Sequence, residues 1–425
     1  MNWLSNLIIS LAKGCLAVIR DLWSIFLDFF STSFSQIASV TWFAISTIPQ
    51  RMGSTITAAI GIAGVVAVFV FVLSIALGFR RAVTSVGRDD IAIVLRDSAN
   101  NEMSSGISRE ESRIIKDAPG VAREDGVAVA SAELFVIIDV PKRSTRTDAN
   151  VPFRGIEPTA ASVRGSVKIL EGRMFERGRN EVIAGVAASR EFAGLDVGKT
   201  LKLGRTEWHV VGLFSAGGGI GESELWTDTT VLQEAYQRGD SYQSVYARLE
   251  TPGKFQEFKD SLTSHPQLKV KVMRQAEFYS EQAELTTGFI ATIGIIIAVM
   301  MALGALLGAI NTMYNAVAAR GREIATLRAL GFGAAPVVCS VLIESLVLSL
   351  AGGVIGGLGV YLAFDGYGAA TMNFQTFSQI AFAFAVTPLL LFSAIVLAAI
   401  IGLLGGFLPA FRAARIPIAT ALREP

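Results

Sequence analysis

The segment that comes closest to a catalytic motif is GLDVGKT, residues 194–200, which looks like a phosphate-binding loop. Such a loop needs four residues between its two glycines, but only three lie between Gly194 and Gly198. Ala193 stands where the first glycine should be. We therefore interpret the segment as a turn that leads into a strand, and not as a nucleotide site.

The sequence gives equally little support for a site that uses histidine. His209 and His265 are the only two histidines, they are far apart, and neither belongs to an HExxH pattern. A zinc site or a triad that uses histidine is therefore not supported, and no GxSxG elbow is present. We predict no catalytic residue and no metal ligand, and interpret the many acidic residues of 80–284 as solvated surface. A site built from carboxylates alone is the alternative.

Composition indicates a membrane protein. Of the 425 residues, 52% are hydrophobic and 17% are charged, whereas soluble chains carry about 25% charge. Only nine basic and six acidic side chains lie outside residues 80–284. This distribution excludes a cytosolic enzyme. The net charge of +1 gives no reason to expect nucleic acid as a partner.

Four long apolar tracts are each sufficient to span a bilayer, which takes about 20 residues. They predict transmembrane helices at the ranges 51–79, 285–319, 335–364 and 381–411. The fold class that we predict is therefore an α-helical membrane protein with four transmembrane helices. A charged α+β extracytoplasmic domain, residues 80–284, is inserted between the first and the second.

Orientation follows from the positive-inside bias. With four spans and a cytoplasmic amino terminus, all nine basic residues outside 80–284 fall on the cytoplasmic side. Residues 412–425 then form a cytoplasmic tail. For residues 1–50 we predict amphipathic interfacial helices, because apolar residues recur at spacings of three and four. The alternative is a fifth span within 22–48.

The domain at 80–284 mixes strands and helices. Residues 90–96 and 133–140 are rich in β-branched residues and predict strands, and 181–213 predicts a cluster of short strands. Residues 108–116 and 256–264 predict helices. We expect two lobes, with the chain leaving the first near Phe153 and returning near Tyr242.

Between the second and third spans lies the short amphipathic segment RGREIATLRALGF, within the range 320–334. Helical spacing predicts Ile324, Leu327 and Leu330 on one face, and Gly331 is expected to end the helix. Such a helix could pack its apolar side chains into a partner and transmit movement. A simple connector with positive-inside arginines is the alternative.

Several spanning residues have polar or packing roles to fill. Glu344 is costly in hydrocarbon, so we expect it to bond to a neighbouring helix, with Asn311 and Asn315 as candidate partners. Gly352 and Gly356 in the third span are spaced for close helix packing, within a protomer or across a dimer. Gly304 and Gly308 repeat this spacing in the second span.

Three groups of residues carry a family resemblance: NTMYNAVAARGREIATLRALGF at 311–332 with Glu344, AARIPIATALR at 413–423, and the stretches RGIEP at 154–158, EGRMF at 171–175 and VVGLF at 210–214. Together they resemble the FtsX-like permeases of MacB-type ABC transporters, with a MacB-like periplasmic core domain. The resemblance covers residues 50–425 approximately.

The resemblance implies a permease of the bacterial inner membrane that forms a dimer with itself or a paralogue. It implies a separate ABC ATPase, which would supply ATP and Mg²⁺, because this sequence has no Walker motif. The family's motif places the coupling residues in this sequence at Arg320, Arg322, Glu323, Leu327, Arg328, Leu330, Gly331 and Phe332. The fifty-residue apolar extension at the start departs from the family pattern.

The implied function is export or extraction of a substrate on the periplasmic side, driven by movement of the outer domain. A periplasmic adaptor or another envelope protein would be a further partner, beside membrane lipid. Two other functions stay open. One is a signalling scaffold that regulates an envelope partner such as a cell-wall hydrolase, and the other is a membrane-anchored enzyme, for which the sequence offers no catalytic constellation.

Overall fold

The structure, a computed structural model, describes residues 35–42, 52–373, 378–415 and residue 417. The chain divides into two compact units. The helical unit comprises the described residues of Met1–Phe71, Gly294–Ala363 and Thr387–Pro425. The sheet unit comprises Val72–Ile293 and Phe364–Val386.

The helices in the described ranges are α1 (35–42), α2 (Met52–Thr84), α3 (Arg109–Lys116), α4 (Ala160–Arg164), α5 (Val186–Glu191), α6 (Thr229–Ala235), α7 (Phe255–Thr263), α8 (Gln275–Ala319), α9 (Gly321–Ala329), α10 (Ala334–Phe364) and α11 (Pro388–Ala414). Of these, α2, α8, α10 and α11 are long and apolar enough to cross a membrane. The four predicted spans each fall on one of these helices.

Two helices extend beyond the predicted spans, because charge limits a bilayer span and not a helix. Helix α2 continues to Thr84, beyond residue 79, and α8 begins at Gln275, ten residues before 285. Helix α8 contains 45 residues and is about 67 Å long at 1.5 Å per residue, about twice the hydrocarbon thickness. The predicted domain at 80–284 therefore includes the end of one long helix and the start of another.

Helix α11, which contains most of the fourth predicted span, begins after residue 381. It starts at Pro388, because Thr387 caps the helix by accepting a hydrogen bond from the Leu390 N–H and proline is favoured at the first helical position. Residues 378–383 form a strand with alternating burial, which an uncharged sequence run does not reveal.

The amino-terminal prediction lies mostly outside the described residues. Of residues 1–50, the structure describes only α1, which is helical and belongs to the helical unit. The alternative of a fifth span within 22–48 includes α1 and otherwise lies outside the described residues, as does most of the predicted tail at 412–425. Helix α11 extends to Ala414, so the first residues assigned to the tail are helical.

The strands in the described ranges are β1 (Ile91–Arg96), β2 (Ile107–Ser108), β3 (Arg123–Glu124), β4 (Val127–Ala128), β5 (Ala130–Pro141), β6 (Asp148–Ile156), β7 (Lys168–Gly172), β8 (Glu181–Gly185), β9 (Thr200–Leu203), β10 (Thr206–Ser215), β11 (Leu225–Asp228), β12 (Ser241–Tyr242), β13 (Ser244–Arg248), β14 (Val270–Arg274), β15 (Gly368–Asn373) and β16 (Ser378–Ala383). The main sheet has the order β14-β1-β13-β5-β6-β11-β8-β10-β7, with β9 paired to β10.

Strand β5 is shared by two lobes of this sheet. Its first residues, Ala130 to Glu133, pair with β13, and the residues from Leu134 onward pair with β6. Each lobe has its own apolar core: Ala130 and Ala132 belong to the first, and Leu134 and Val136 to the second. The chain thus crosses between lobes at Glu133, not near Phe153 as predicted, and returns at β12, where Tyr242 was predicted.

Local signals in this domain were read correctly. Helix α3 begins with a capping box, in which the Ser108 hydroxyl accepts from the Glu111 N–H and the Glu111 carboxylate accepts from the Ser108 N–H. Gly194 and Gly198 both adopt positive φ, of 82°, in the turn before β9. The interpretation of GLDVGKT as a turn that leads into a strand is confirmed.

Candidate coupling site

The connector between α8 and α10 is the helix α9. Ile324 and Ala325 are buried, and Ile324 packs with Val317 of α8 and Val337 of α10. Leu327 is half-buried, but Leu330 is 73% exposed. The predicted apolar face is therefore divided: Ile324 faces the chain's own helices, while Leu330 points to solvent.

Gly331 ends α9, as predicted. It adopts a φ of 96°, the left-handed conformation that glycine takes without steric cost. The Gly331 N–H donates to the Arg328 carbonyl at 3.2 Å, and the Phe332 N–H donates to the Leu327 carbonyl at 3.1 Å. This pair of bonds is a Schellman motif, which fixes the direction in which the chain leaves α9.

Arg320, the residue before α9, forms a two-pronged ion pair with Glu344 of α10. The Arg320 Nη1 lies 2.9 Å from Glu344 Oε2, and Nη2 lies 3.2 Å from Oε1. The two side chains are only 11% and 6% exposed. The buried pair therefore joins the start of the connector to the first half of α10.

This pairing adds a contact that the sequence did not suggest. Asn311 and Asn315, the candidate partners of Glu344, are exposed on α8, and the structure shows a bond to Glu344 from Arg320. Arg320, one of the predicted ATPase-coupling residues, is buried and bonded within the chain. Forked arginine–carboxylate pairs fix geometry as well as charge.

The remaining predicted coupling residues lie on the outer side of the elbow, meaning residues 320–332. Arg322, Glu323, Leu330 and Gly331 are exposed. Leu327, Arg328 and Phe332 are half-buried. The elbow thus offers two charged side chains and one leucine to a partner, while its inner side is occupied by the chain's own helices.

A small cavity lies behind the elbow. Its volume is about 30 Å³, enough for one or two water molecules, and its lining includes Leu327, Glu344 and Val40. Val40 belongs to α1 and is buried, and its carbonyl accepts a hydrogen bond from the Ser340 hydroxyl at 3.4 Å. Helix α1 therefore packs beside the ion pair.

Glycines let the spanning helices approach closely. A Cβ atom on Gly352 would lie 2.7 Å from the carbonyl oxygen of Ala59, and one on Gly356 would collide with the carbonyl of Ala63. Both contacts join α10 to α2. Gly352 and Gly356, for which close packing was predicted, thus lie at close helix contacts within one protomer.

The sheet unit contains a second buried polar group, the Arg154 cluster, which consists of Glu102, Glu133, Arg154, Arg164 and Glu224. Arg154 bonds to all three carboxylates at 2.7–3.1 Å. Arg164 forms a two-pronged pair with Glu133, with both bonds at 2.6 Å. Two arginines face three glutamates, so the cluster is formally one charge negative.

Burial and charge shift pKa values in this cluster. Burial by itself would raise the pKa of Glu102, but the Arg154 charge and hydrogen bonds from Arg154, Ser244 and Tyr246 lower it overall. Glu102 therefore keeps its negative charge at neutral pH.

Known families match both parts of the chain. Residues 54–265 match the MacB-like periplasmic core domain, and residues 295–418 match the FtsX-like permease C-terminal domain. The two matches occur in the order expected for one protein and include most of the sheet unit, the elbow and most of the spanning helices.

The chain belongs to the FtsX-like permeases of the MacB type.

Relatives extend this similarity over most of the permease. The macrolide export ATP-binding/permease protein MacB of Hahella chejuensis is 25% identical over 412 residues, which are 92% of this chain and 60% of that protein. The uncharacterized ABC transporter permease YknZ of Bacillus subtilis is 26% identical over 329 residues, 72% of this chain and 78% of that protein. The permease spans about 60% of the length of the MacB relatives.

Among solved structures, the periplasmic region of MacB from Actinobacillus actinomycetemcomitans is similar at 10% identity and a TM-score of 0.36. The similar region covers 46% of this chain and 94% of the solved structure. The family matches support an ABC transporter permease, with four helices that are long and apolar enough to cross a membrane and an α+β domain.

Sequence reasoning missed two features of the site. The Arg320–Glu344 pair joins residues 24 positions apart. The sequence feature that could have indicated this pair was one acidic residue in a span that follows a short basic turn. The Arg154 cluster had no spacing signal, because its members come from separate strands and turns. The stretch RGIEP, which carried part of the resemblance, contained its central residue.

Proposed function

We propose that this permease receives the ATP-driven movement of a separate ABC ATPase at the outer side of its elbow. The movement passes through the Arg320–Glu344 pair into α8 and α10 and reaches the α+β domain, which expels or extracts a substrate. The amino and carboxyl termini then lie in the cytoplasm, and the domain at 80–284 lies outside. We propose that ATP is hydrolysed in the separate ATPase.

The observation that carries this proposal is the buried ion pair. Arg320 directly precedes α9, and both of its terminal nitrogens bond to Glu344 of α10. Ile324 adds apolar contact with α8 and α10. A push on the exposed residues of α9 cannot move this helix alone, because separating the buried charges is costly.

The outer side of the elbow supports a protein partner. Leu330 is a large apolar side chain with 73% exposure next to the exposed Arg322 and Glu323. An apolar residue with a charged surround is a common arrangement at protein interfaces. We infer that the ATPase binds here.

A second copy of the permease is the other partner that we propose, bound along α8. In the most apolar 18-residue stretch of α8, only 17% of the residues are buried, compared with 33–39% in the corresponding stretches of the other three helices. Met300, Leu307 and Asn311 are exposed at helical spacing, and Gly304 has no described atom within 4 Å of a Cβ position. Exposed asparagines in a span favour a helix partner that can bond to them.

The cargo mechanism that we favour is mechanical. The cavity at the elbow has room for water but not for a macrolide, the cargo in the names of the MacB relatives. Substrate would therefore be handled by the α+β domain and an adaptor, not carried along the elbow. A signalling scaffold would use the same movement on an envelope partner.

The test uses the permease co-purified with its ATPase in lipid nanodiscs. Leu330→Ala should reduce ATPase binding, and Glu344→Gln should preserve binding but abolish the ATP-dependent movement of the α+β domain. Leu389→Ala is the matched control, because Leu389 is 76% exposed but lies at the start of α11. Movement is followed by fluorescence transfer from a donor in the domain to an acceptor on the ATPase.

The proposal is wrong if no ATPase accompanies the permease, or if Glu344→Gln binds the ATPase and moves the domain as the parent protein does. Cargo export with a periplasmic adaptor favours a transporter. Activation of a bound hydrolase without export would support the scaffold.

A further inference from the structure

Three segments of the sheet unit continue along the chain into spanning helices, and they share one apolar core. These segments are the end of α2, the start of α8 and the hairpin of β15 and β16. Phe79 of α2, Tyr279 of α8 and Phe382 of β16 belong to the same buried cluster. The Phe79 and Phe382 rings meet edge to face with centroids 6.1 Å apart. We name this shared core the junction.

The Arg154 cluster connects the two lobes at this junction. Arg154 lies in β6 of the second lobe, and all five of its N–H groups are used. Glu102 accepts from Arg154 and also from Ser244 and Tyr246 of β13, in the first lobe. Glu133 is the residue of β5 at which the chain crosses from one lobe to the other.

The cluster also meets the segments that lead to the spanning helices. Tyr279 and Gln282 of α8 line a small cavity together with Arg154 and Glu224. The backbone N–H of Ala381, in the hairpin, donates to the Ser223 hydroxyl at 3.0 Å, one residue before Glu224. Both α8 and the hairpin are therefore adjacent to the same arginine.

We propose that Arg154 is a positioning residue that holds the two lobes as one rigid body at the junction. A displacement of α8 or of the hairpin then moves both lobes together. This inference deepens the proposed function, since it rests on movement reaching the domain through these segments. It assigns to RGIEP a mechanical role that its position within a strand would not suggest.

Stability alone is a poor explanation for this cluster. Burying five ionised groups is costly, and well-packed apolar residues of similar volume often stabilise a fold at least as well. A guanidinium with five directed N–H donors, bonded to three carboxylates, fixes angles and distances that apolar contacts leave adjustable. The arrangement is suited to keeping two cores in one relative orientation.

The experiment measures the distance between the lobes in the full-length permease. Spin labels are attached at Lys202→Cys in the second lobe and Gln256→Cys in the first, both at exposed positions, after Cys15→Ser and Cys339→Ser. Distance distributions are recorded for the parent, Arg154→Gln, Arg154→Lys and Arg96→Gln. Arg96 is the matched control, because it forms a two-pronged pair with Glu111 at 2.9 and 3.0 Å inside the first lobe alone.

We expect a single narrow distribution for the parent and for Arg96→Gln. Arg154→Gln should give a broad distribution, and Arg154→Lys an intermediate one, because lysine keeps the charge but offers three donors in place of five. If Arg154→Gln does not fold, Arg154→Lys decides. The inference is overturned if a folded Arg154 variant has a distance distribution as narrow as that of the parent.

A second arm separates this inference from the proposed function. The same labelled proteins are joined to the ATPase, and a donor–acceptor pair reports domain movement on ATP addition. Absence of movement in the parent contradicts the proposed function, whatever the lobes do. Parental movement that persists unchanged in a variant with broadened lobe distances contradicts the role of Arg154 in transmission.

Discussion

At the scale of single residues, the most consequential feature is that charges are buried in both units and are paired in geometries with several hydrogen bonds. Arg320 and Glu344 are joined by two bonds in the helical unit, and Arg154 is bonded to three carboxylates in the sheet unit. Removing one member of such a group leaves a charge that has lost its partner in a site with little water. Variants at these positions should therefore have large effects.

Glu344→Gln should lower the free energy of unfolding by about 3–5 kcal/mol, because Arg320 would keep its charge without a carboxylate opposite. The double variant Arg320→Met with Glu344→Leu should recover most of this loss. Thermal unfolding in detergent provides the measurement. Glu323→Gln, an exposed acid of the same elbow, is the control and should change little. Equal losses of stability in Glu344→Gln and Glu323→Gln would contradict the importance of the pair.

The pH dependence of the sheet unit follows from Glu102. Its pKa in the folded protein lies below the ordinary value of 4.5, so its carboxylate stabilises the fold above that pH. This contribution is lost as the pH falls through the lowered folded pKa. We expect urea unfolding, followed by the fluorescence of buried Trp208 and Trp226, to show a falling free energy of unfolding below about pH 4.5.

The control for this titration is Glu102→Gln, which should be less stable at neutral pH but should lose less stability on acidification. Glu111, in the capping box of α3, also has a lowered pKa and adds to the slope in both proteins. An identical pH profile in the parent and the variant would show that Glu102 does not contribute.

At the scale of elements, the glycines of α10 differ in how closely they pack against neighbouring helices. Gly356 and Gly359 lie three residues apart in α10. A Cβ at Gly356 would collide with the Ala63 carbonyl, whereas Gly359 has open space around it. The two positions therefore form a matched pair with opposite expectations.

Gly356→Ala should lower the free energy of unfolding by about 1–3 kcal/mol through overpacking against α2. Gly359→Ala should leave it unchanged or raise it by up to about 1 kcal/mol, since alanine is the better helix former. Melting temperatures of the two variants, measured side by side in one detergent, provide the comparison. A loss at Gly359 as large as that at Gly356 would disagree with the observed helix contact.

Elements with strong local signals were predictable. The four apolar tracts, the capping box at Ser108 and the glycine that ends α9 each act within a few residues. The start of α11 was misjudged because β16 and a membrane span are both uncharged. The bond between Arg320 and Glu344 was not predictable, because the fold of the elbow brings Arg320 to Glu344, and nearby asparagines looked equally suitable in the sequence.

At the scale of the whole molecule, a dimer along α8 is the arrangement most open to test. Leu307→Cys should form a disulfide with a second copy under mild oxidation in native membranes, because the proposed interface places like residues together across a two-fold axis. Phe407→Cys, on an exposed position of α11, is the control. Asn311→Leu in the Leu307→Cys background should reduce the yield, since bonds from the amide would be lost.

Cross-linking from Phe407→Cys that equals the yield from Leu307→Cys would point to random collision. Cross-linking from Phe407→Cys alone would move the interface to α11. Either result would remove α8 as the contact between copies.

The shared strand β5 has a consequence for how the protein is made. The second lobe is built from the continuous stretch between Leu134 and the return at Ser241, whereas the first lobe needs β13 and β14, which are synthesised later. During synthesis the second lobe can therefore acquire its core while the first is still incomplete. The first lobe closes only when residues up to Arg274 have emerged, immediately before α8 enters the translocation machinery. A stall between these points would leave a finished lobe attached to an open strand edge, which is a prime target for quality-control proteases.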